Sequence, residues 1–116
     1  MKYFLLRTRL TPETWARLLR SPEDRRVAAR EGAKDYGGEL VGYWYSTGRY
    51  DCYSLIASPD ETAPAALHAA LYSSGAFLEF NPTALMTVEQ MREAVKKADE
   101  WPTLRNYRAP GRTAGA

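Results

Sequence analysis

The chain has 116 residues, of which 45% are hydrophobic and 26% are charged, and its formal net charge is +2. This length suits a single domain, because a second hydrophobic core would be too small to be stable by itself. The small net charge argues against nucleic acid as a partner. No apolar run reaches the roughly 18 residues needed to span a bilayer, so we expect no membrane segment. With one cysteine and no export signal, we expect a cytoplasmic protein without cofactor or disulfide.

Hydrophobic periodicity and turn residues predict an alternating series of strands and helices. Strands are predicted at 2–9, 39–47, 50–58 and 76–86, and helices at 11–20 with a kinked continuation over 22–38, at 60–75 and at 87–101. The last strand is expected to be weakened or bulged at Pro82, and Thr87 with Gln90 forms a capping-box pattern. We expect a folded domain over 1–100 and an extended or partly disordered basic tail over 101–116.

The order β-α-β-β-α-β with a terminal helix is the ferredoxin-like pattern, an α+β fold. Two helices cover one face of an antiparallel sheet and leave the other face, here called the open face, uncovered. The usual strand order of this fold is 4-1-3-2, so the first strand lies between the fourth and the third.

Side-chain alternation along the strands predicts which residues occupy the open face. Arg7 is expected between two carboxylates, Glu79 on one side and Asp51 on the other. The residues expected around these charges are Tyr3, Leu5, Tyr43, Tyr45, Tyr53 and Phe77. In the second strand, we favour the set with Tyr43 and Tyr45 over the alternating set with Trp44.

An aromatic surface of this kind is unfavourable in contact with water, so we expect a second copy of the chain to cover it. The expected assembly is a homodimer or a larger homo-oligomer. Its charges would then be buried, and pairing of Arg7 with the carboxylates, or with a small-molecule ligand, would offset the cost of burial.

Asp51 is the candidate catalytic residue, as a general base in an apolar cleft. The alternative is structural: Asp51 anchors the hairpin through backbone N–H groups or pairs with Arg7. Arg7, Tyr43, Tyr45, Tyr53 and Glu79 are the candidate ligand-binding residues, with Arg7 as an anion anchor. For the tyrosines, an oligomer interface is an equally good interpretation.

Three further residues carry reactive groups, and for each the structural interpretation is preferred. Tyr50 is expected to pack near the helix ends, on the face opposite Asp51. His68, the only histidine, is expected on the flank or surface of its helix, and Cys52 as a small buried residue. No cluster of metal-ligand residues with suitable spacing is present, so no metal site is predicted.

Several segments resemble the GYD-domain family, named for a Gly-Tyr-Asp motif. The motif occurs here with one residue inserted, as Gly48-Arg49-Tyr50-Asp51. The similarity extends to "LTPE", "SPEDRRVAAREGAKDYGGEL" and "ASPDE", and it covers roughly 2–90. The resemblance implies a ferredoxin-like domain of the dimeric α/β-barrel superfamily and supplies no activity.

The sequence therefore leaves two functions open. One is a small-molecule-binding protein, which includes a cofactor-independent enzyme, with a cleft over the open face. The other is a non-catalytic oligomerisation or regulatory module whose aromatic face only forms subunit contacts.

Overall fold

The computed structural model describes residues 1–112, which form four strands and five helices. In chain order these are β1 (Lys2–Leu10), α1 (Pro12–Arg20), α2 (Arg25–Asp35), β2 (Glu39–Tyr45), β3 (Cys52–Ser58), α3 (Ala63–Tyr72), β4 (Phe77–Leu85), α4 (Val88–Asp99) and α5 (Pro102–Arg105). None of the helices in this part of the chain is long and apolar enough to cross a membrane.

The chain divides into two compact units, Met1–Leu85 and the segment from Met86 onward. The second unit contains α4, whose capping box between Thr87 and Gln90 confirms the sequence prediction. It also contains the short helix α5, within the segment that the sequence predicted to be extended. The last four residues of that predicted tail, 113–116, lie outside the described residues.

The first unit is built on an antiparallel sheet with the strand order β2-β3-β1-β4. Its core lies on the helical side of the sheet, where Phe4, Leu6, Ile56 and Phe80 are buried together. Tyr36 at the end of α2, Leu40 and Leu67 of α3 pack against this cluster. The structure is thus an α+β fold with an antiparallel sheet, and β1 has the neighbours expected for it.

Strands β1 and β3 follow the predicted alternation. Phe4, Leu6 and Thr8 of β1 are buried on the helical side, while Arg7 lies opposite Tyr53 on the open face. These two strands are central and pair with each other without a register shift. Strict alternation of side chains is therefore sufficient to assign their residues to the two faces of the sheet.

The prediction that Tyr43 and Tyr45 lie on the open face is wrong. A β-bulge between Leu40 and Gly42 shifts the register of β2 by one residue, which exchanges the two faces for the rest of the strand. Tyr43 and Tyr45 therefore lie opposite Ser54 and Cys52, on the helical side. Trp44, opposite Tyr53, takes the position on the open face.

A second register shift corrects the prediction for β4. It occurs between Arg9 and Leu10, so that Phe77 rather than Leu78 lies opposite buried Leu10. The Phe77 ring contacts the Phe80 ring at 6.2 Å, which puts Phe77 on the helical side rather than on the open face. Pro82 pairs opposite Leu6 without a bulge, because β4 is an edge strand, where a missing N–H is tolerated.

The connection between β2 and β3 is longer than the predicted turn at Thr47-Gly48-Arg49. The backbone N–H of Ser46 donates to the carbonyl of Asp51 (2.9 Å), so Tyr50 and Asp51 belong to the loop and β3 starts at Cys52. Strand alternation therefore does not apply to Tyr50 and Asp51.

Candidate functional site

Arg7 occupies the centre of the open face, between Asn81 of β4 and Tyr53 of β3. Its Nη2 donates to the Thr83 hydroxyl at 3.2 Å, and its guanidinium lies 5.0 Å from the centre of the Tyr50 ring. The Nε atom is buried and has no hydrogen-bond partner among the described residues. A buried donor without an acceptor is costly, so Arg7 is incompletely paired within the described residues.

Glu79 pairs with two other arginines. Its Oε1 accepts from Arg9 Nη1 and from Arg49 Nη2, both at 3.1 Å. The sequence predicted Glu79 beside Arg7, but in the register of β1 and β4 Glu79 lies opposite Arg9 and Arg7 lies opposite Asn81. Glu79 is thus shared by Arg9 and Arg49, while Arg7 has no ion-pair partner among residues 1–112, so this part of the open face carries an excess of positive charge.

Tyr50 joins these groups into one cluster. Its side chain is 9% exposed, its Oη accepts from Asn81 Nδ2 at 2.7 Å, and its ring contacts the Tyr53 ring edge-on at 6.2 Å. The Arg49 guanidinium lies 5.5 Å from the same ring. Arg49, followed by the Asn81 amide, lowers the pKa of the Tyr50 phenol from its usual 10.0, because both stabilise the phenolate.

The sequence prediction for Tyr50 is therefore wrong, since the ring lies on the open face and not near the helix ends. Arg49, Tyr50 and Asn81 were missed as site residues. Asp51 is the signal that could have identified Arg49 and Tyr50. An aspartate at the end of a hairpin loop often accepts hydrogen bonds from backbone N–H groups, and it then belongs to the loop together with the residues before it. Strand alternation does not apply to those residues.

Asp51 has a structural role at the end of β1. Its Oδ2 accepts a hydrogen bond from the backbone N–H of Leu10 at 2.8 Å, and its own N–H donates to the carbonyl of Thr8 at 2.9 Å. These two bonds extend the pairing of β1 with β3 by one step into the loop. These contacts agree with the structural alternative for Asp51, in which the side chain anchors the hairpin through a backbone N–H group. Asp51 forms no salt bridge with Arg7.

Tyr43 and Tyr45 are separated from the cluster by the sheet itself. Their rings contact each other edge-on at 5.5 Å, and burial, followed by the neighbouring Cys52 thiol, raises the pKa of the Tyr43 phenol above its usual 10.0. Tyr45 also lines an open groove of about 710 Å³ with Trp15 and Leu18 of α1. Neither tyrosine contributes to the surface around Arg7.

Trp44 replaces them on the open face. Its indole lies over Gly42, where a Cβ atom would come within 2.3 Å of the ring. The side chain remains 55% exposed and flanks Tyr53 directly across the pair of strands. The open face thus combines a charged half on β1 and β4 with an aromatic half on β3 and β2.

The remaining candidates are placed as structural residues. His68 is exposed, with its ring stacked on Phe80 at 5.1 Å and edge-on to Tyr72, which confirms the predicted flank position. Cys52 is buried, and burial raises the pKa of its thiol above the usual 9.0. Within residues 1–112, no group of three His, Cys, Asp or Glu side chains is arranged to hold a metal ion.

Fold and site together define an α+β protein with a cationic, tyrosine-centred cluster on the face of an antiparallel sheet opposite its buried core. The family model described as the GYD domain matches residues 4–95, which is most of the chain and includes every residue of the cluster. The chain therefore belongs to the GYD domain family, as its motifs predicted. No curated protein and no solved structure matches it. Membership of this family assigns no activity to the chain.

Proposed function

We propose that the protein binds a small molecule in a cleft over the open face of its sheet, and that a second copy of the chain closes this cleft. In this proposal the domain is a ferredoxin-like member of the dimeric α/β-barrel superfamily and works in the cytoplasm. The observation that carries the proposal is the unbalanced charge around Arg7: its guanidinium has no carboxylate partner in the described part of the chain, and its Nε is buried without an acceptor.

A purely structural cluster would be expected to satisfy its own charges. Leaving a buried N–H unpaired costs about 1–3 kcal/mol, and selection for stability alone removes such a cost. Glu79 is already shared between Arg9 and Arg49, so it is not free to neutralise Arg7. An incoming anion compensates the surplus positive charge beside Arg7.

The apolar part of the same face supports self-association. Tyr3, Trp44 and Leu85 belong to this face or its rim and are exposed. Large exposed apolar side chains around a polar centre are typical of subunit interfaces. A closed symmetric contact would cover them and shield the arginines from water, which strengthens their interaction with a ligand.

We assign Asp51 a positioning role and propose binding rather than catalysis. Its Oδ2 is engaged by the Leu10 N–H, and this bond holds the loop that presents Arg49 and Tyr50. A general base at this position would have to give up that bond during each reaction cycle.

The test is a thermal-shift screen of the purified protein with neutral, anionic and cationic compounds, followed by titration of the hits. Tyr53→Ala, on the open face, should abolish the shifts. The matched variant Tyr72→Ala, at an exposed position at the end of α3, should preserve them. Hits that survive Tyr53→Ala, or a screen without hits, would contradict the proposal.

A non-catalytic oligomerisation module is the second candidate, favoured by the exposure of Trp44. It predicts that Trp44→Glu converts the assembly to monomers in sedimentation experiments, while no compound in the screen stabilises the wild-type protein. Stabilisation by a ligand that depends on Tyr53 would exclude this candidate as the whole function.

A further inference from the structure

The open face arranges its residues in rows across the four strands. Residues that pair across neighbouring strands lie side by side, about 4.8 Å apart. One row consists of Asn81, Arg7, Tyr53 and Trp44, and the next consists of Thr83, Leu5, Leu55 and Gly42. Each row changes from polar at β4 to apolar at β2, so the face has a direction.

The polar end is suited to an oxyanion. Arg7 uses Nη2 for Thr83 and has no carboxylate partner among residues 1–112, so a planar carboxylate can pair with the outer N–H groups of its guanidinium. Arginine binds carboxylates in this way because its fork of N–H groups matches the spacing of the two oxygens. The ring of Tyr50 lies against both Arg7 and Arg49, and this contact holds the two guanidiniums in place.

The apolar end is suited to a flat ring. The absence of a side chain at Gly42 lets the Trp44 indole lie along the strand, since a Cβ there would sit 2.3 Å from the ring. Tyr53 and Leu55 are half-buried between this indole and β1. From Arg7 to Trp44 is two strand spacings, or about 10 Å, which matches the length of a molecule with one or two rings.

We infer that the ligand class is a small amphipathic acid, an aromatic or similarly flat apolar body that carries one carboxylate. The carboxylate pairs with Arg7, and the body lies over Tyr53 and Leu55 toward Trp44. This inference rests on the proposed binding function and specifies its ligand. The cationic cluster alone would accept any oxyanion, and the Trp44 indole alone would accept any flat ring. The inference is specific because it requires a carboxylate and a ring in the same molecule.

The test uses four probes measured by isothermal titration calorimetry: 2-naphthoate, its neutral isostere 2-naphthylmethanol, acetate and inorganic phosphate. We expect 2-naphthoate to bind about tenfold or more tightly than each of the other three, because a charged hydrogen bond and ring burial both contribute. Arg7→Gln should remove the preference for the acid over the alcohol. Arg20→Gln, an exposed arginine at the end of α1, should leave it unchanged.

A second variant tests the inference independently, in case Arg7→Gln does not fold. Trp44→Ala changes an exposed side chain and should weaken 2-naphthoate binding by about fivefold or more, without affecting how binding falls with added salt. Circular dichroism verifies that each variant is folded.

Five results would overturn the inference. Equal binding of 2-naphthoate and 2-naphthylmethanol would show that the ligand needs no carboxylate. Phosphate binding as tight as that of 2-naphthoate would show that the ligand needs no ring. A preference for the acid that persists in folded Arg7→Gln, or full binding in Trp44→Ala, would place the ligand elsewhere. If all probes fail while the thermal-shift screen finds other ligands that depend on Tyr53, the ligand class is wrong and the binding function stands; if that screen also fails, both are wrong.

Discussion

The hydrogen bond between Asp51 and Leu10 provides the sharpest test of the loop that carries the site. Asp51 Oδ2 is 2.8 Å from the Leu10 nitrogen, and Leu10 is only 8% exposed, so water does not readily replace the carboxylate. In Asp51→Ala the N–H of Leu10 loses its acceptor, which should destabilise the fold by about 2 kcal/mol, within the range of about 1–3 kcal/mol for a buried unpaired donor.

Asp51→Asn should be milder, because the amide keeps an oxygen that accepts the bond. It loses only the charge assistance, so the expected cost is about 1 kcal/mol. Urea unfolding followed by far-UV circular dichroism measures both variants, and the melting temperature should fall by about 4 °C for each kcal/mol. Asp35→Ala is the matched control, since Asp35 is exposed at the end of α2, and its effect should stay within about 0.5 kcal/mol.

The result that would refute this reasoning is an Asp51→Ala variant as stable as wild type, or an Asn variant as unstable as Ala. The general-base hypothesis predicts a different pattern. It requires Asp51→Asn to fold with wild-type stability and yet to lose ligand binding or turnover, whereas an anchoring residue lets the folded Asn variant retain the ligand.

Two further predictions concern the helical side of the sheet. Gly38→Ala should destabilise the protein by more than about 2 kcal/mol in urea unfolding, because its Cβ would lie 2.1 Å from the Ala57 carbonyl oxygen. Gly32→Ala is the control. A Cβ at Gly32 would have no atom within 4 Å, so this variant should stabilise α2 by about 0.5–1 kcal/mol. Similar effects at the two glycines would refute the close approach at Gly38. The Cys52 thiol should contribute a fall of the urea midpoint as the pH rises above about 8.5, because burial raises its folded-state pKa above the unfolded value and the stability that results is lost above that unfolded value. Cys52→Ala should make this decline shallower, and an unchanged slope would contradict the contribution of the thiol.

Much of the fold could be read from the sequence because its signals are local. The alternation in "KYFLLRTRL" and the capping pattern at Thr87 each depend on neighbouring residues only, and both elements form where they were expected. Three errors share one cause. The bulge in β2, the register shift in β4 and the longer hairpin loop each move side chains to the other face, and a single inserted residue is enough to do so.

The candidate site shows the same division. Sequence reasoning placed Arg7, Tyr53 and Glu79 on the open face, and they are there because β1, β3 and most of β4 run without interruption between them. It could not identify Trp44 or Tyr50. Trp44 reaches that face only because β2 bulges, and Tyr50 only because its loop leaves the ladder before β3 begins.

By itself the sequence determined the family, the order of the elements and the arginine at the centre of the sheet, since these follow from residue types and their spacing. Only the tertiary structure decided which carboxylate pairs with which arginine, and which aromatic rings join them. Pairing across strands depends on register, and register results from the whole set of backbone hydrogen bonds, which no short stretch of the chain specifies.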